Sequence, residues 1–173
     1  MTPPSTPESE RSAPLESSGR DLLRHTFATL AYRAAKAVRG APSEFSTYRA
    51  GPSSRTPGQV LSHMCDLMEW AGWLARGEHK WTATTPGTWD ADIARFFDGL
   101  QRLDNYVESG APLYRSAEQL FQGPIADALT HVGQINMLRR LSGSPVRGES
   151  YARADIVRGR VGADQAPSRV EFD

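Results

Sequence analysis

The stretch GPIADALTHVGQINMLRRLSG, residues 123–143, has the pattern of a helix that carries polar groups on a side that must pack. Asp127, His131 and Gln134 follow one another at offsets of four and three, so their side chains lie along one face of such a helix. The stretch therefore predicts a helix over roughly 124–142. Its packed face contains three polar groups, and those groups need partners.

Helix start and stop signals on both sides of this stretch predict three further helices. A glycine followed two residues later by a proline ends several helical patterns, because glycine accepts the left-handed conformation and proline prevents continuation. Capping-box patterns at Ser18, Thr56 and Ser116, and an N-cap at Thr88, mark the starts. With the apolar periodicity, these signals predict helices over roughly 19–39, 57–76 and 89–108, and a short helical turn over 116–122.

Four helices of this length predict an all-α fold, an up-down four-helix bundle over residues 19–145. The connection between the first two helices is long, so it is expected to cross over. Residues 1–18 are rich in Pro, Ser, Thr and Glu and are expected to form a disordered tail. Residues 146–173 are polar and Arg-rich with few apolar anchors. They are expected to form an irregular extension that wraps the bundle.

The composition excludes several classes of partner. The formal net charge is zero, so there is no electrostatic case for binding nucleic acid. No apolar run approaches the length needed to cross a bilayer, and the N-terminal residues lack the apolar core of a secretory signal. The single cysteine, Cys65, cannot form an internal disulfide. We therefore expect a cytoplasmic protein with neither nucleic-acid nor membrane partners.

A candidate metal site follows from residues that bring polar groups to apolar helix faces. His63, in VLSHMCDLMEWAGWL (60–74), lies three residues after Val60 and therefore points along an apolar seam. Asp127 and His131 share the packed face of the last helix. A divalent cation would satisfy both imidazoles and the carboxylate, and such ligands suit zinc, iron or nickel. The candidate ligands are therefore His63, Asp127 and His131.

Ordinary structural roles remain open for the same residues. A buried histidine commonly pairs with a backbone or side-chain partner. Asp127 lies early in its helix, where a carboxylate favours the helix dipole without a metal. Gln134 is expected either to form a hydrogen bond within the bundle or to hold His131 in position.

The neighbours of His63 on the second helix offer further candidates. Trp70, two turns further on, is expected to line a cavity at the site or to be a core aromatic. Glu69 is a candidate proton acceptor, although six residues from His63 it lies well round the helix. Cys65, at an offset of two, is expected to face elsewhere and to serve in packing.

Two motifs together resemble the DinB-like superfamily. They are RTPGQVLSHMCDLMEW (55–70) and DALTHVGQINMLRRL (127–141). Members of that superfamily are four-helix bundles with a histidine on helix two and a His-x-x-x-His pair on a later helix. By this resemblance His63 and His131 are metal ligands, and Asp127 lies where the family often has its other histidine. That departure implies either a site with two histidines and one carboxylate or a site that has lost its metal.

The resemblance covers roughly residues 19–143 and implies a function. Relatives include metal-dependent transferases that use low-molecular-weight thiols, so a divalent metal (zinc, nickel or iron), a small-molecule substrate and a homodimer are expected. The first hypothesis is a metal-dependent transferase or hydrolase. The others are a stress-response or binding module that holds a metal or ligand without turnover, and a metal-free helical bundle that dimerises.

Overall fold

The computed structural model describes the backbone of residues 9–172 and the side chains of residues 18–172, and four long helices dominate it. The elements are α1 (Ser9–Val38), α2 (Pro57–Ala75), α3 (Trp89–Glu108), α4 (Ala117–Leu120), α5 (Ala126–Leu141), β1 (Gly148–Glu149) and β2 (Glu171–Phe172). A π-helical segment, Phe121–Ile125, joins α4 to α5. Short 3₁₀ turns occupy Phe45–Thr47 and Tyr151–Arg153. The predicted all-α class is confirmed for the described residues, since β1 and β2 form a single two-residue pairing.

Local signals place most helix ends where the sequence predicts them. The side chain of Thr56 accepts from the backbone of Gln59, whose side chain in turn accepts from the backbone of Thr56, so the predicted capping box is confirmed. Thr88 caps α3 in the predicted way. Gly143, which follows α5, has a φ of 81°, in the left-handed region that other residues rarely adopt. These features end the helices because they satisfy or redirect backbone groups that have no partner inside the helix.

The first helix differs from its prediction. It begins at Ser9, not near residue 19, so Ser18 lies inside the helix and is not an N-cap. The upstream sequence contains good helix formers such as Leu15 and Glu16, which extend the helix into the predicted disordered tail. Residues 1–8 of that predicted tail lie outside the described residues.

Helices α2 and α3 run parallel to each other. Near the start of α2, the backbone carbonyl of Ser62 accepts a hydrogen bond from Arg95 at 3.0 Å. Near its end, Trp73 shares a groove with Arg102, which lies further along α3. Residue numbers therefore increase together along the two helices, and the intervening residues 77–88 must return along the whole of α2.

The predicted alternating up-down order is therefore wrong. Arg24 on α1 binds Asp104 on α3 while Arg20 reaches the carbonyl of Val107, so α1 and α3 are antiparallel. The chain runs up in α1, down in α2 and α3, and up in α5. An extended return segment makes this possible, because residues 77–88 can span about 40 Å whereas α2 is about 28 Å long.

The C-terminal residues pack against the bundle. Val161 is fully buried among the core residues of the helices, and Ile156 packs against the same core. Phe172 in β2 remains half exposed. Among the described residues, no helix combines the length and the apolar character that crossing a bilayer requires.

Candidate metal centre

The predicted ligands come together between two antiparallel neighbours, α2 and α5. His63 lies on α2, Asp127 lies in the first turn of α5, and His131 follows one turn later. One ligand atom from each residue lies within 4.8 Å of those of the other two. The structure therefore assembles, from two separate helices, a group of three residues that could hold a metal ion.

The carboxylate of Asp127 lies between the two imidazoles. Its Oδ2 is 3.5 Å from Nε2 of His63, and its Oδ1 is 3.4 Å from Nε2 of His131. Both distances exceed the 2.7–3.2 Å range of N–H···O hydrogen bonds. They are close to the separation of about 3.3 Å between two ligand atoms that share a tetrahedral zinc ion. The carboxylate therefore places one oxygen near each imidazole, in a group of three residues that could hold a metal ion.

The other ring nitrogen of His131 is held by Gln134. Nδ1 of His131 lies 2.9 Å from Oε1 of Gln134. Because a carbonyl oxygen can only accept, Nδ1 must carry the proton in this hydrogen bond. A neutral imidazole in this tautomer presents the lone pair of Nε2 to Asp127, as a metal-binding histidine does. The structure therefore pairs Gln134 with His131 by this hydrogen bond.

The site is buried on one side and open on the other. The side chain of His131 is 9% exposed and that of His63 is 24% exposed, whereas that of Asp127 is 48% exposed. Burial restricts the two imidazoles to their present orientation. The exposed carboxylate leaves room at this side for a small molecule from solution.

Trp81, which the sequence patterns do not indicate, forms an aromatic wall beside His63. The Trp81 ring lies edge to face with His63 at 5.5 Å and with Trp70 at 5.7 Å between centroids. Trp81 therefore lies between Trp70 and His63. Among the described ring contacts, Trp70 has none with His63 or His131. Trp81 belongs to the return segment 77–88, where no helical spacing could have indicated its position.

A buried polar network fixes this return segment to the bundle. Thr84 donates to Asp66 twice, from its backbone nitrogen at 3.0 Å and from its hydroxyl at 2.6 Å. Arg95 on α3 donates to the Thr84 hydroxyl oxygen at 2.6 Å. Asp66 is only 4% exposed, so these hydrogen bonds compensate for the burial of its carboxylate. The network thus fixes the return segment at a point three residues after Trp81.

Two neighbours of His63 on α2 lie outside the site. Glu69 lies in the groove between α2 and α3 beside Trp73, because six residues turn a helix about 240° away from the starting face. Cys65 is 1% exposed, and its thiol donates to the carbonyl of Asp92 at 3.2 Å. Burial raises the pKa of the Cys65 thiol to about 12. The structure therefore gives Glu69 no contact with the ligands and Cys65 a role in packing.

Comparisons with known proteins give no relative from which a function can be transferred. No family model matches the chain, no curated protein does, and no solved structure does. The resemblance to the DinB-like superfamily therefore rests on the motifs around His63 and His131. The proposed function is therefore argued from the geometry of the site.

Proposed function

We propose that His63, Asp127 and His131 bind one divalent cation, zinc, nickel or iron, and that the protein is a metal-dependent transferase or hydrolase of the DinB-like type. The observation that carries the proposal is the position of the Asp127 carboxylate, with one oxygen facing each imidazole at 3.4–3.5 Å. Two imidazole nitrogens and a carboxylate oxygen suit first-row divalent metals and leave coordination positions open. When bound, such a cation lowers the pKa of a coordinated thiol or water and so provides a nucleophile at neutral pH.

Each residue of the site has a distinct part in this proposal. Gln134 holds the tautomer of His131 that directs the Nε2 lone pair toward Asp127. Trp81 packs against the ring of His63 on one side. The open side at Asp127 is where a small molecule, such as a low-molecular-weight thiol, approaches. Homodimer formation belongs to the same proposal, because it follows from the same resemblance.

Metal titration of the purified protein tests the proposal. We expect the chelated protein to bind one equivalent of zinc in calorimetry. His63→Ala, Asp127→Ala and His131→Ala should each weaken binding by more than about 100-fold, because each removes a direct ligand. Matched controls are His25→Ala and Asp98→Ala, which change exposed residues elsewhere on the bundle and should bind like the parent.

Two results would contradict the proposal in different ways. Equal metal binding by the parent and the three ligand variants would place the metal elsewhere. If His63→Leu is as stable as the parent and no metal binds, the three residues form a metal-free core network. Cobalt substitution tests for an open coordination position, because a thiol that enters it changes the visible spectrum. Tight metal binding with no open position would favour a module that holds the metal without turnover.

A further inference from the structure

A groove adjoins the candidate site on the side of His131 that faces away from Asp127. It has a volume of about 520 Å³, within the range of small-molecule sites. Its lining residues come from the end of the α1–α2 connection, from α2 and from α5. They are Ser54, Arg55, Val60, His131, Gln134, Met137 and Leu138.

The groove combines an apolar floor with donors and contains no acidic side chain. Val60, Met137 and Leu138 supply the apolar surface. Arg55 is exposed and forms no hydrogen bond or ion pair with any described residue. Gln134 uses its carbonyl oxygen for His131, so its amide N–H groups are free to donate. An apolar groove with one positive charge and unused donors is complementary to an amphipathic anion.

The backbone on both sides of Arg55 is fixed. Before it, Ser54 closes a turn on the carbonyl of Gly51, through its backbone nitrogen at 3.1 Å and its hydroxyl at 2.9 Å. After it, Thr56 and Gln59 form the capping box of α2. A ligand that pairs with Arg55 therefore orders only the side chain, which reduces the entropic cost of binding.

We propose that this groove binds a small molecule with a carboxylate at one end and an apolar chain behind it. The carboxylate pairs with the guanidinium of Arg55, which can bind it through two parallel hydrogen bonds. No second cation lines the groove, so a monoanion matches its charge better than a phosphate does. The apolar chain of the ligand lies along Val60 and Leu138, and the end of the ligand remote from the carboxylate reaches His131. The claim that this molecule is a substrate rests on the proposed function, whereas the claim that the groove binds it rests only on the residues that line the groove.

Methionine methyl NMR tests the groove directly on the full chain. The probes are hexanoate, hexan-1-ol and hexyl phosphate, added to protein labelled at the methionine methyl groups. Met137 lines the groove and is exposed, whereas Met64 and Met68 are buried in the core and serve as internal references. We expect hexanoate to shift the Met137 signal and to leave the Met64 and Met68 signals in place, and hexan-1-ol to bind about tenfold more weakly.

Arginine variants complete the test. Arg55→Ala should weaken hexanoate binding about tenfold without changing hexan-1-ol binding. Arg102→Ala, an exposed arginine in the α2–α3 groove, should have no effect. Undiminished hexanoate binding by Arg55→Ala would overturn the proposal, as would tighter binding of hexyl phosphate than of hexanoate. Zinc titration of the same samples reports the metal site separately, so its failure is distinguishable from failure of the groove.

Discussion

At the scale of single residues, the hydrogen bond between His131 and Gln134 decides which imidazole nitrogen faces the site. We expect Gln134→Leu to lower zinc affinity by about 10–100-fold, because the imidazole would then be free to rotate and change tautomer. The helical fold should be unchanged, since Gln134 is exposed. Calorimetric titration checks this, with Gln101→Leu on α3 as the control. Equal affinities of the parent and Gln134→Leu would show that the hydrogen bond does not position His131.

Arg139 is the second residue with a defined structural role. It is 5% exposed, and it donates to backbone carbonyls at the ends of two helices, those of Ala37 in the last turn of α1, Gly40 after α1 and Ser144 after α5. The negative ends of both helix dipoles thus face one guanidinium, whose positive charge complements them. Arg139 is thus a buried cation in the last turn of α5.

Replacement of Arg139 should therefore destabilise the folded protein. We expect Arg139→Met to reduce the free energy of unfolding by about 3 kcal/mol, because several buried carbonyls would lose their donors. Arg140→Met changes the exposed neighbour and should have an effect within about 0.5 kcal/mol. Urea denaturation monitored by circular dichroism measures both. Similar midpoints for the two variants would mean that water or nearby backbone groups replace the guanidinium.

Sequence spacing could predict the ligands of the candidate site but not its surroundings. His63, Asp127 and His131 lie on helices, where offsets of three and four determine which side chains share a face. Trp81 and Arg55 lie in connecting segments, whose paths depend on tertiary contacts and not on periodicity. The three residues that cluster at the candidate site could therefore be selected from the sequence, whereas the aromatic wall and the adjacent groove required the structure.

At the scale of elements, the return segment 77–88 depends on Thr84. We expect Thr84→Val to destabilise the protein by about 1–3 kcal/mol, because the hydroxyl hydrogen bonds to Asp66 and from Arg95 would be lost. Trp81 should become more solvent-exposed, with a red shift of tryptophan fluorescence. Thr82→Val, at an exposed position of the same segment, is the control. An unchanged emission spectrum in Thr84→Val would show that Trp81 is held by other contacts.

Caps and glycines encode the ends of helices but not their directions. Thr56, Thr88 and Gly143 act locally, so their effects can be predicted from a few residues. The parallel pairing of α2 and α3 depends on a long connection that also permits other arrangements. Pro124, predicted as the first residue of a separate helix, lies in the π-helical segment. Proline has no N–H for the α-helical hydrogen bond, and the wider turn accommodates it within a continuing helix.

At the scale of the whole molecule, the C-terminal extension is fastened to α1 by one buried carboxylate. The side chain of Glu149 is fully buried and accepts from the Tyr32 hydroxyl at 2.7 Å and from Lys36 at 2.8 Å. Lys36 also binds Glu171 at 2.8 Å, so both strands of the small sheet are held near the same ammonium group. The extension thus returns to α1 at both of its ends.

This attachment should weaken in acid. Burial tends to raise the pKa of Glu149, but the hydrogen bonds from Lys36 and Tyr32 outweigh it and hold the pKa below its usual value. A carboxylate with a lowered pKa contributes stability above its unfolded pKa of about 4.3, and this contribution is lost as the pH falls through the folded pKa. We expect the melting temperature of Glu149→Gln to fall less than that of the parent between about pH 5 and pH 2. Glu44→Gln, at an exposed position, should follow the parent.

The placement of the two ligand-bearing helices has a kinetic consequence. His63 and Asp127 are separated in sequence by all of α3, and they meet only when α2 and α5 have packed side by side. In the proposed function the cation binds only after this long-range packing, so we expect it to leave the refolding rate unchanged and to slow the rate of unfolding. Stopped-flow measurements with and without zinc would show a chevron plot in which only the unfolding arm moves.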